Sequence, residues 1–376
     1  MPPSSDSFIT AGGTFVLRRF PLRKNELLRA WNSADQLLVD YALGDNITDS
    51  VLVVNDEYGA VSLAVNSFKT TLWTDSSISW SALKHNFLSN NIPVLPELLW
   101  STEKLTNKFK LVLIRLPKQL ALLDHQLKEL KPYLQADALV LTAGMDKHTS
   151  EGVLEILNKI IGPTERHRGV KKAHIFSTRN DCADGGLTPY PSSYFCEEVE
   201  GELINHANTF SREQLDIGSR FMIKQFSRLP QSVNIVDLAC GNGVLGIAAA
   251  KRVNPSRLVF LDESNMSVVS ALLNANALLT DSEINIEAYK GDGFEHYSGV
   301  EPDLILCNPP FHQNFVVDGY VGQRLVRQAA GVLGKGGTLW LVANRHLPYF
   351  REMKSLFSSV KKIAENSKFL VLEGKK

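Results

Sequence analysis

The sequence contains little cysteine and no long hydrophobic run. Its four cysteines are Cys182, Cys196, Cys240 and Cys307, and no two of them have CxxC spacing. Neither a zinc site nor a disulfide framework is therefore indicated, and we expect no metal. No segment approaches the ~18 consecutive apolar residues that a membrane helix needs, and the first residues lack the pattern of a secretory signal. These absences favour a reduced, cytoplasmic compartment.

An excess of charge of either sign is also absent. The 376 residues include 40 Lys and Arg and 40 Asp and Glu, which gives a formal net charge of zero. Because a nucleic-acid-binding protein often carries a positive excess, this balance disfavours that class. Residues 1–180 hold 21 basic and 18 acidic residues, whereas residues 181–376 hold 19 and 22. The basic clusters at 18–29 and 166–172 are interpreted first as solvated faces.

Short apolar segments alternate with helical periods in the second half of the chain. The predicted strands there include Asn234–Leu238, Arg257–Leu261, Asn285–Tyr289, Asp303–Cys307 and Thr338–Val342. Strands separated by helices predict parallel βαβ units in a doubly wound sheet. The first half repeats this order of elements in a weaker form, which indicates an internal duplication.

The predicted architecture is therefore α/β, with two tandem doubly wound, Rossmann-like domains. We expect the first domain at 1–180 and the second at 194–376. Residues 181–193 between them are rich in Gly, Pro and Asp, a composition typical of a linker.

A glycine-rich segment follows the first strand of the second half. It runs from Asp237 through Gly241, Asn242 and Gly243, and it opens a predicted helix. Glycines allow a ligand to approach the backbone, and a helix N-terminus presents free N–H groups. The G-x-G-x-x-G pattern alone also fits NAD-binding sheets. The acid four residues before the first glycine instead favours a ligand with a cationic amine, such as S-adenosylmethionine, unless Asp237 only caps the turn.

Two further acids follow the next strands. Asp262 ends the second strand, where a carboxylate accepts hydrogen bonds from ribose hydroxyls. Its alternative role is a helix N-cap, which Ser264 could supply instead. Asp292 follows the third strand, where it could accept from an adenine amine, although a simple loop aspartate between two glycines is the alternative.

The segment Asn308-Pro309-Pro310-Phe311 follows the fourth strand. It lies at the carboxyl end, where ligands bind in open parallel sheets. The lone pair of an exocyclic or amide nitrogen is delocalised, so such a nitrogen is a poor nucleophile. The Asn308 side-chain oxygen and the Pro309 carbonyl could accept its two hydrogens, and Phe311 could stack on a planar base. Such catalysis depends on positioning rather than on a strong general base.

The segment Phe210–Ser219 lies upstream of the glycine-rich loop. It fits either a cover over the methionine end of the cofactor or an ordinary capped helix, and the sequence does not separate the two. Its Leu215-Asp216 and Gly218-Ser219 pairs begin the predicted helix.

At these motifs the chain resembles the two-domain bacterial ribosomal RNA guanine-N2 methyltransferases, most closely the large-subunit (23S) members. The 16S members share that architecture. The resemblance implies that the second domain binds S-adenosylmethionine and methylates guanine, and that the first is a degenerate copy that docks RNA. It carries the functional roles to 237–246, Asp262, Asp292 and 308–311, whereas His312 and Gln313 receive no role. The implied partner is 23S ribosomal RNA, naked or in an assembling subunit, and a monomer is plausible.

Other functions account for fewer of these sequence features. Glutamine-amide methylation of a protein explains neither Phe311 nor a duplicated fold, and the balanced charge disfavours methylation of adenine in DNA. A ribosome-assembly protein without catalysis would not need an intact Asn308 and glycine loop. NAD-dependent redox chemistry leaves the N-P-P-F turn unexplained.

The degeneracy of the first domain can be predicted from an alignment of the two halves. Val53 takes the place of Asp237, and Glu57 takes the place of Gly241. A glutamate there would fill the space of the ligand and add negative charge, so we expect no S-adenosylmethionine in the first domain.

The same alignment replaces 308–311 by the segment 115–118, Arg-Leu-Pro-Lys. The amide acceptor is lost and two cations are gained at the end of the same strand. We therefore expect Arg115 and Lys118 to contact phosphates, which position RNA without reading its sequence.

Overall fold

The computed structural model describes residues 7–24, 26–44, 50–181, 185–280, 283–310 and 319–376. The chain divides into two compact units, Met1–Tyr190 and Pro191–Lys376. No helix in these ranges is long and apolar enough to cross a membrane.

The first unit contains a hairpin and a seven-stranded sheet. Its strands are β1 (Ser7–Thr10), β2 (Gly13–Val16), β3 (Val51–Val54), β4 (Thr70–Thr74), β5 (Glu97–Trp100), β6 (Phe109–Arg115), β7 (Leu134–Met145), β8 (Thr164–Arg166) and β9 (Ala173–Arg179). Its α-helices are α1 (Ser33–Gly44), α2 (Ala60–Ala64), α3 (Ser77–Ser89), α4 (Leu120–Leu130) and α5 (Glu151–Ile160). The sheet order is β5-β4-β3-β6-β7-β9-β8, and β9 is the one strand of this sheet that runs opposite to the other six.

The second unit repeats this plan. Its strands are β10 (Ser192–Cys196), β11 (Gly201–Asn205), β12 (Asn234–Leu238), β13 (Arg257–Asp262), β14 (Asn285–Lys290), β15 (Leu304–Cys307), β16 (Thr338–Asn344), β17 (Ser359–Glu365) and β18 (Phe369–Lys375). Its α-helices are α6 (Ile217–Ile223), α7 (Val244–Val253), α8 (Asn265–Leu278), α9 (Gly319–Val332) and α10 (Tyr349–Leu356). The sheet order is β14-β13-β12-β15-β16-β18-β17, and β18 is the antiparallel strand.

The central strands are buried on both faces because helices cover both sides of each sheet. All four residues of β3 and all four of β15 are buried, and both strands consist almost entirely of aliphatic side chains. Continuous apolar strands of this kind are typical of parallel sheets. The predicted pair of doubly wound domains is thus confirmed, with the same strand order in both units.

The strand order of the second unit creates a crevice. Strand β12 pairs with β13 on one side and with β15 on the other, so the connections after β12 and β15 lead to opposite faces of the sheet. Ligands bind at this switch point in open α/β sheets. The loops that follow β12, β13, β14 and β15 all begin at this edge.

Candidate functional site

A small cavity lies at the switch point of the second sheet. It is bordered by the glycine-rich loop after β12, the start of α6 and the residue after β15. The residues that line it include Phe210, Asp216, Ser219, Gly241, Asn242 and Asn308.

The loop between β12 and α7 has a left-handed backbone at Ala239, Gly241 and Gly243, with φ of 58°, 55° and 81°. At Gly243 a Cβ atom would lie 3.0 Å from Phe260 and Ala271, so only glycine fits there. A Cβ at Gly241 would meet nothing closer than 3.9 Å. The loop thus needs glycine at one position for packing and offers open space above the other for a ligand.

Asp237 is fully buried at the end of β12. Its Oδ2 accepts a hydrogen bond of 2.8 Å from the Gly246 N–H in the first turn of α7. Its Oδ1 is buried and has no hydrogen-bond partner among the described residues. Burial raises the pKa of this carboxyl to about 8, and the charge of Asp262 adds to the rise while the Gly246 hydrogen bond opposes it. A cationic amine would satisfy the open acceptor and restore the ionised form.

Asp262 ends β13 beside the glycine loop. Its Oδ2 accepts from the Gly241 N–H at 3.0 Å and its Oδ1 accepts from the Ser264 N–H at 2.9 Å. Ser264, not Asp262, is the N-cap of α8, because its side chain accepts from the Ser267 N–H. Asp262 therefore fixes the glycine loop and keeps its carboxylate at the sheet edge.

Asp292 lies in the loop after β14 and is buried. Its carboxylate forms an ion pair with the Arg324 guanidinium on α9, and its backbone carbonyl accepts from Gln328 Nε2 at 3.1 Å. Asp292, the residue predicted to accept from an adenine amine, thus already has a cationic partner within the protein. The sequence did not reveal this partner.

Asn242 directs its side chain to protein partners. Its Nδ2 donates to Asn205 Oδ1 at 3.0 Å, and its Oδ1 accepts from the Val244 N–H at 3.3 Å. Asn274 Nδ2 donates to the Asn242 carbonyl at 3.0 Å. The side chain ties the loop to β11, so any contact of Asn242 with a ligand would come from its backbone.

Asn308 follows β15 directly. Its Nδ2 donates to Asp216 Oδ2 and to Ser219 Oγ, each at 2.9 Å. Its Oδ1 is buried and has no partner within the described part of the chain. Of the residues that follow, Pro309 is buried and Pro310 is exposed. Phe311, His312 and Gln313 lie outside the described residues.

Asp216 and Ser219 are site residues whose role the sequence left open. Asp216 is the N-cap of α6 and accepts from the Ser219 N–H at 2.8 Å. The spacing of an acid and a serine three residues later indicates only a helix start. The bonds to Asn308 join residues 92 and 89 positions apart, so no local pattern could have indicated them.

The first unit contains the corresponding loop without the open acceptor. Asn55 and Gly59 have φ of 60° and 82°, close to the values at the matching positions 239 and 243 of the second unit. Here the buried acid is Asp56, whose two oxygens accept from the N–H groups of Gly59 and Ser62. Burial raises the pKa of Asp56 to about 6. Both oxygens of Asp56 are thus used inside the protein.

The prediction that Arg115 contacts phosphate is wrong. Its Nε lies 2.8 Å from Asp35 Oδ1, its Nη1 donates to the Ala143 carbonyl at 3.1 Å, and its Nη2 donates to Asn32 Oδ1 at 3.4 Å. Its side chain is only 12% exposed. The guanidinium is held inside the first unit because α1 supplies a buried carboxylate that the alignment could not place. Lys118 is exposed.

Comparison with known families matches both halves of the chain. Residues 5–182 match the RLMG N-terminal domain, and residues 200–373 match the methyltransferase small domain. The ribosomal RNA large subunit methyltransferase G of Ectopseudomonas mendocina is 38% identical over 98% of this chain and 99% of its own length. The protein of that name from Pseudomonas syringae is 37% identical over 96% and 97%.

A solved structure shares the whole two-unit fold. It is the 16S rRNA N2 methyltransferase of T. thermophilus in complex with AdoMet and guanosine. Its TM-score is 0.78 over 98% of this chain and 97% of that one, at 18% identity. This likeness shows the fold and supports the duplication of the doubly wound domain.

Proposed function

The chain belongs to the ribosomal RNA large subunit methyltransferase G family, and on this premise we propose that it methylates the exocyclic N2 of a specific guanine in 23S ribosomal RNA. The methyl donor is S-adenosylmethionine. The observation that supports this reaction best is the Asn308 amide, whose nitrogen is held by two acceptors while its buried oxygen has no partner among the described residues.

The residues at the switch point fit S-adenosylmethionine, which supplies an electrophilic methyl group on its sulfonium. Asp237 Oδ1 would accept from the cationic amine, since that atom is buried without a partner in the described ranges. The loop at Gly241 and Gly243 would let the ligand approach the backbone. Asp262 would accept from the ribose hydroxyls, and Asp292, which forms an ion pair with Arg324, would accept from the adenine amine.

Asn308 and Pro309 would act on the target amine. The Asn308 oxygen and the Pro309 carbonyl would each accept one hydrogen of N2, which turns the nitrogen lone pair toward the methyl group. Phe311 would offer an aromatic face to the guanine. The target base must be unpaired or flipped out, because N2 lies on a base edge that pairing occupies.

The first unit is proposed to dock the RNA rather than to bind cofactor. Lys118 and Lys147 are exposed at the carboxyl edge of its sheet. Burial lowers the pKa of His148 at this edge, and the charges of Lys147, Lys118 and Arg115 lower it further. Exposed cations of this kind suit phosphate contacts, which position RNA. With ribosomal RNA as substrate, we place the protein in the cytoplasm, as a monomer that acts on naked RNA or on an assembling subunit.

The choice of 23S over 16S RNA rests on the names of relatives that are 36–38% identical over nearly the full chain. The 16S enzyme that shares the fold is only 18% identical. The test incubates the protein with labelled S-adenosylmethionine and either 23S or 16S rRNA, both stripped of protein, with Asn308→Ala as control. Label in 23S alone supports the proposal. Label in 16S alone would move the chain to the 16S substrate.

A further inference from the structure

The orientation of the Asn308 side chain is set by the start of α6. The side-chain amide has two ends, and its nitrogen end meets Asp216 Oδ2 and Ser219 Oγ at 2.9 Å. The oxygen end is buried and unpartnered within the described residues. One end of the amide is therefore used inside the protein, and the other is left for a ligand.

The chemistry of Asp216 and Ser219 favours one of the two orientations of the Asn308 amide. An ionised carboxylate only accepts hydrogen bonds, whereas a hydroxyl can accept or donate. If the amide were turned over, its oxygen would lie against Asp216 Oδ2 with no hydrogen between the two atoms. Ser219 alone would tolerate either orientation. Asp216 is thus the residue that decides which end of Asn308 faces away from α6.

We call the contact of Asp216 and Ser219 with the Asn308 side chain the clamp. The first unit contains an equivalent clamp made of different side chains. The residue before Arg115 lies opposite Val54, and the residue before Asn308 lies opposite Leu238, so the two strand-end residues hold equivalent positions.

Arg115 Nη2 donates to Asn32, the residue before α1, and its Nε pairs with Asp35, the third residue of α1. Asp216 and Ser219 are likewise the residue before α6 and its third residue. A contact from a helix start to the strand-end side chain is therefore present in both copies, although the residues differ.

We propose that Asp216, assisted by Ser219, is a positioning residue that holds the Asn308 oxygen in the orientation required to accept a hydrogen of the target amine. This role rests on the proposed function of Asn308. Asp216 acts through Asn308 and not on the methyl donor, although it borders the same cavity.

The test combines two substitutions in a cycle. Asp216→Asn keeps a good helix cap but introduces a donor, so the amide of Asn308 loses its preferred orientation. Single-turnover methyl transfer at saturating S-adenosylmethionine should slow about tenfold to hundredfold, with the cofactor Kd unchanged. Asn308→Asp places two carboxylates in contact and should slow transfer further. Asp216→Asn should then speed the Asn308→Asp enzyme, because it removes that repulsion.

Glu213→Gln is the matched control, because Glu213 is an acid near the same helix whose side chain is 79% exposed. It should transfer at the wild-type rate. Additive losses in the double variant, or a loss in Asp216→Asn that disappears at saturating cofactor, would overturn the proposal in favour of a direct cofactor contact.

A second measurement does not depend on activity. In the ligand-free protein labelled with ¹⁵N-asparagine, the side-chain amide signals absent from Asn308→Asp identify Asn308. Asp216→Asn should shift them strongly, whereas Glu213→Gln should not. Unshifted signals would refute the clamp. If wild-type protein methylated no RNA while the signals shifted, the proposed function would fail and the hydrogen bond would stand.

Discussion

The two units have the same backbone plan but differ in how their polar groups are used. In the first unit, Asn86 Nδ2 donates to the carbonyls of Tyr58 and Arg18. In the second unit, Asn274 Nδ2 donates to the Asn242 carbonyl, at the position that matches Tyr58. Each of these asparagines fixes the turn after the first sheet strand. The frame of the site thus persists in the copy that we expect to bind no cofactor.

The difference lies in which polar groups remain open. Asp56 uses both carboxylate oxygens on the backbone of its own loop, whereas Asp237 Oδ1 has no partner among the described residues. Arg115 is held by α1, whereas Asn308 keeps an open oxygen. A buried polar group without a partner costs about 1–3 kcal/mol. The second unit therefore carries two open acceptors that a ligand can satisfy, whereas Asp56 and Arg115 of the first unit interact with groups inside the protein.

Replacing Gly241 by glutamate, the residue at the matching position of the first unit, should have the largest effect on cofactor binding. In Gly241→Glu, a charged side chain would occupy the space above the loop at a residue with φ of 55°. We expect S-adenosylmethionine to bind more than about a thousandfold more weakly, because the ligand would have to displace a buried charge. Isothermal titration checks this. The control Glu57→Gly should still bind one equivalent per chain, and a second equivalent would contradict the assignment of the first unit.

Removing Arg115 should destabilise the first unit. Arg115→Ala leaves the buried Asp35 carboxylate without its cationic partner, and we expect a loss of about 3–5 kcal/mol in the free energy of unfolding. Urea unfolding of the full chain measures it, with Lys118→Ala as the exposed control. A loss below about 1 kcal/mol would show that the ion pair is not structural.

Asp237→Asn should separate stability from binding. The variant keeps an acceptor for the Gly246 N–H but cannot ionise, so S-adenosylmethionine should bind about a hundredfold more weakly.

The ligand-free variant should nevertheless be more stable than wild type. The pKa of Asp237 is about 8 in the folded protein, well above the ordinary aspartate value of 3.8, so the folded state holds the proton more tightly. Wild-type stability from this group is thus lost as the pH rises from about 4 to 8. The advantage of the variant should grow by roughly 3–5 kcal/mol between pH 5 and pH 8.5. An advantage independent of pH would contradict the raised pKa.

Asp56→Ala should have the smallest effect on the free energy of unfolding, and its sign should be opposite to that of Asp237→Asn. It leaves two N–H groups at the start of α2 without acceptors, and we expect a loss of about 1–2 kcal/mol with cofactor binding unchanged. Thermal unfolding and titration on the same sample compare it directly with Asp237→Asn. A stabilised variant would remove the contrast between the two acids.

The sequence predicts the doubly wound sheets, because a buried parallel strand is a continuous apolar run that can be recognised locally. It also predicts the edge of the sheet at which Asp237, Asp262, Asp292 and Asn308 lie. The first hairpin, β1 and β2, was not predicted as part of the duplication, because its strands have four residues each and are half exposed.

Long-range side-chain pairs could not be predicted. The partners of Arg115 on α1 are about 80 residues away along the chain, and those of Asn308 on α6 about 90. A local pattern reports periodicity and turn residues, but it does not report which helix start lies against which strand end. The error at Arg115 and the open question at Asp216 have this same cause.

The most direct test of the account is the identity of the methylated nucleoside. After reaction with labelled S-adenosylmethionine, 23S rRNA is digested to nucleosides and separated by chromatography. The account predicts that label runs with N2-methylguanosine, and that Asn308→Ala, although it still binds the cofactor, gives none. Label in another nucleoside, or an active Asn308→Ala enzyme, would contradict it.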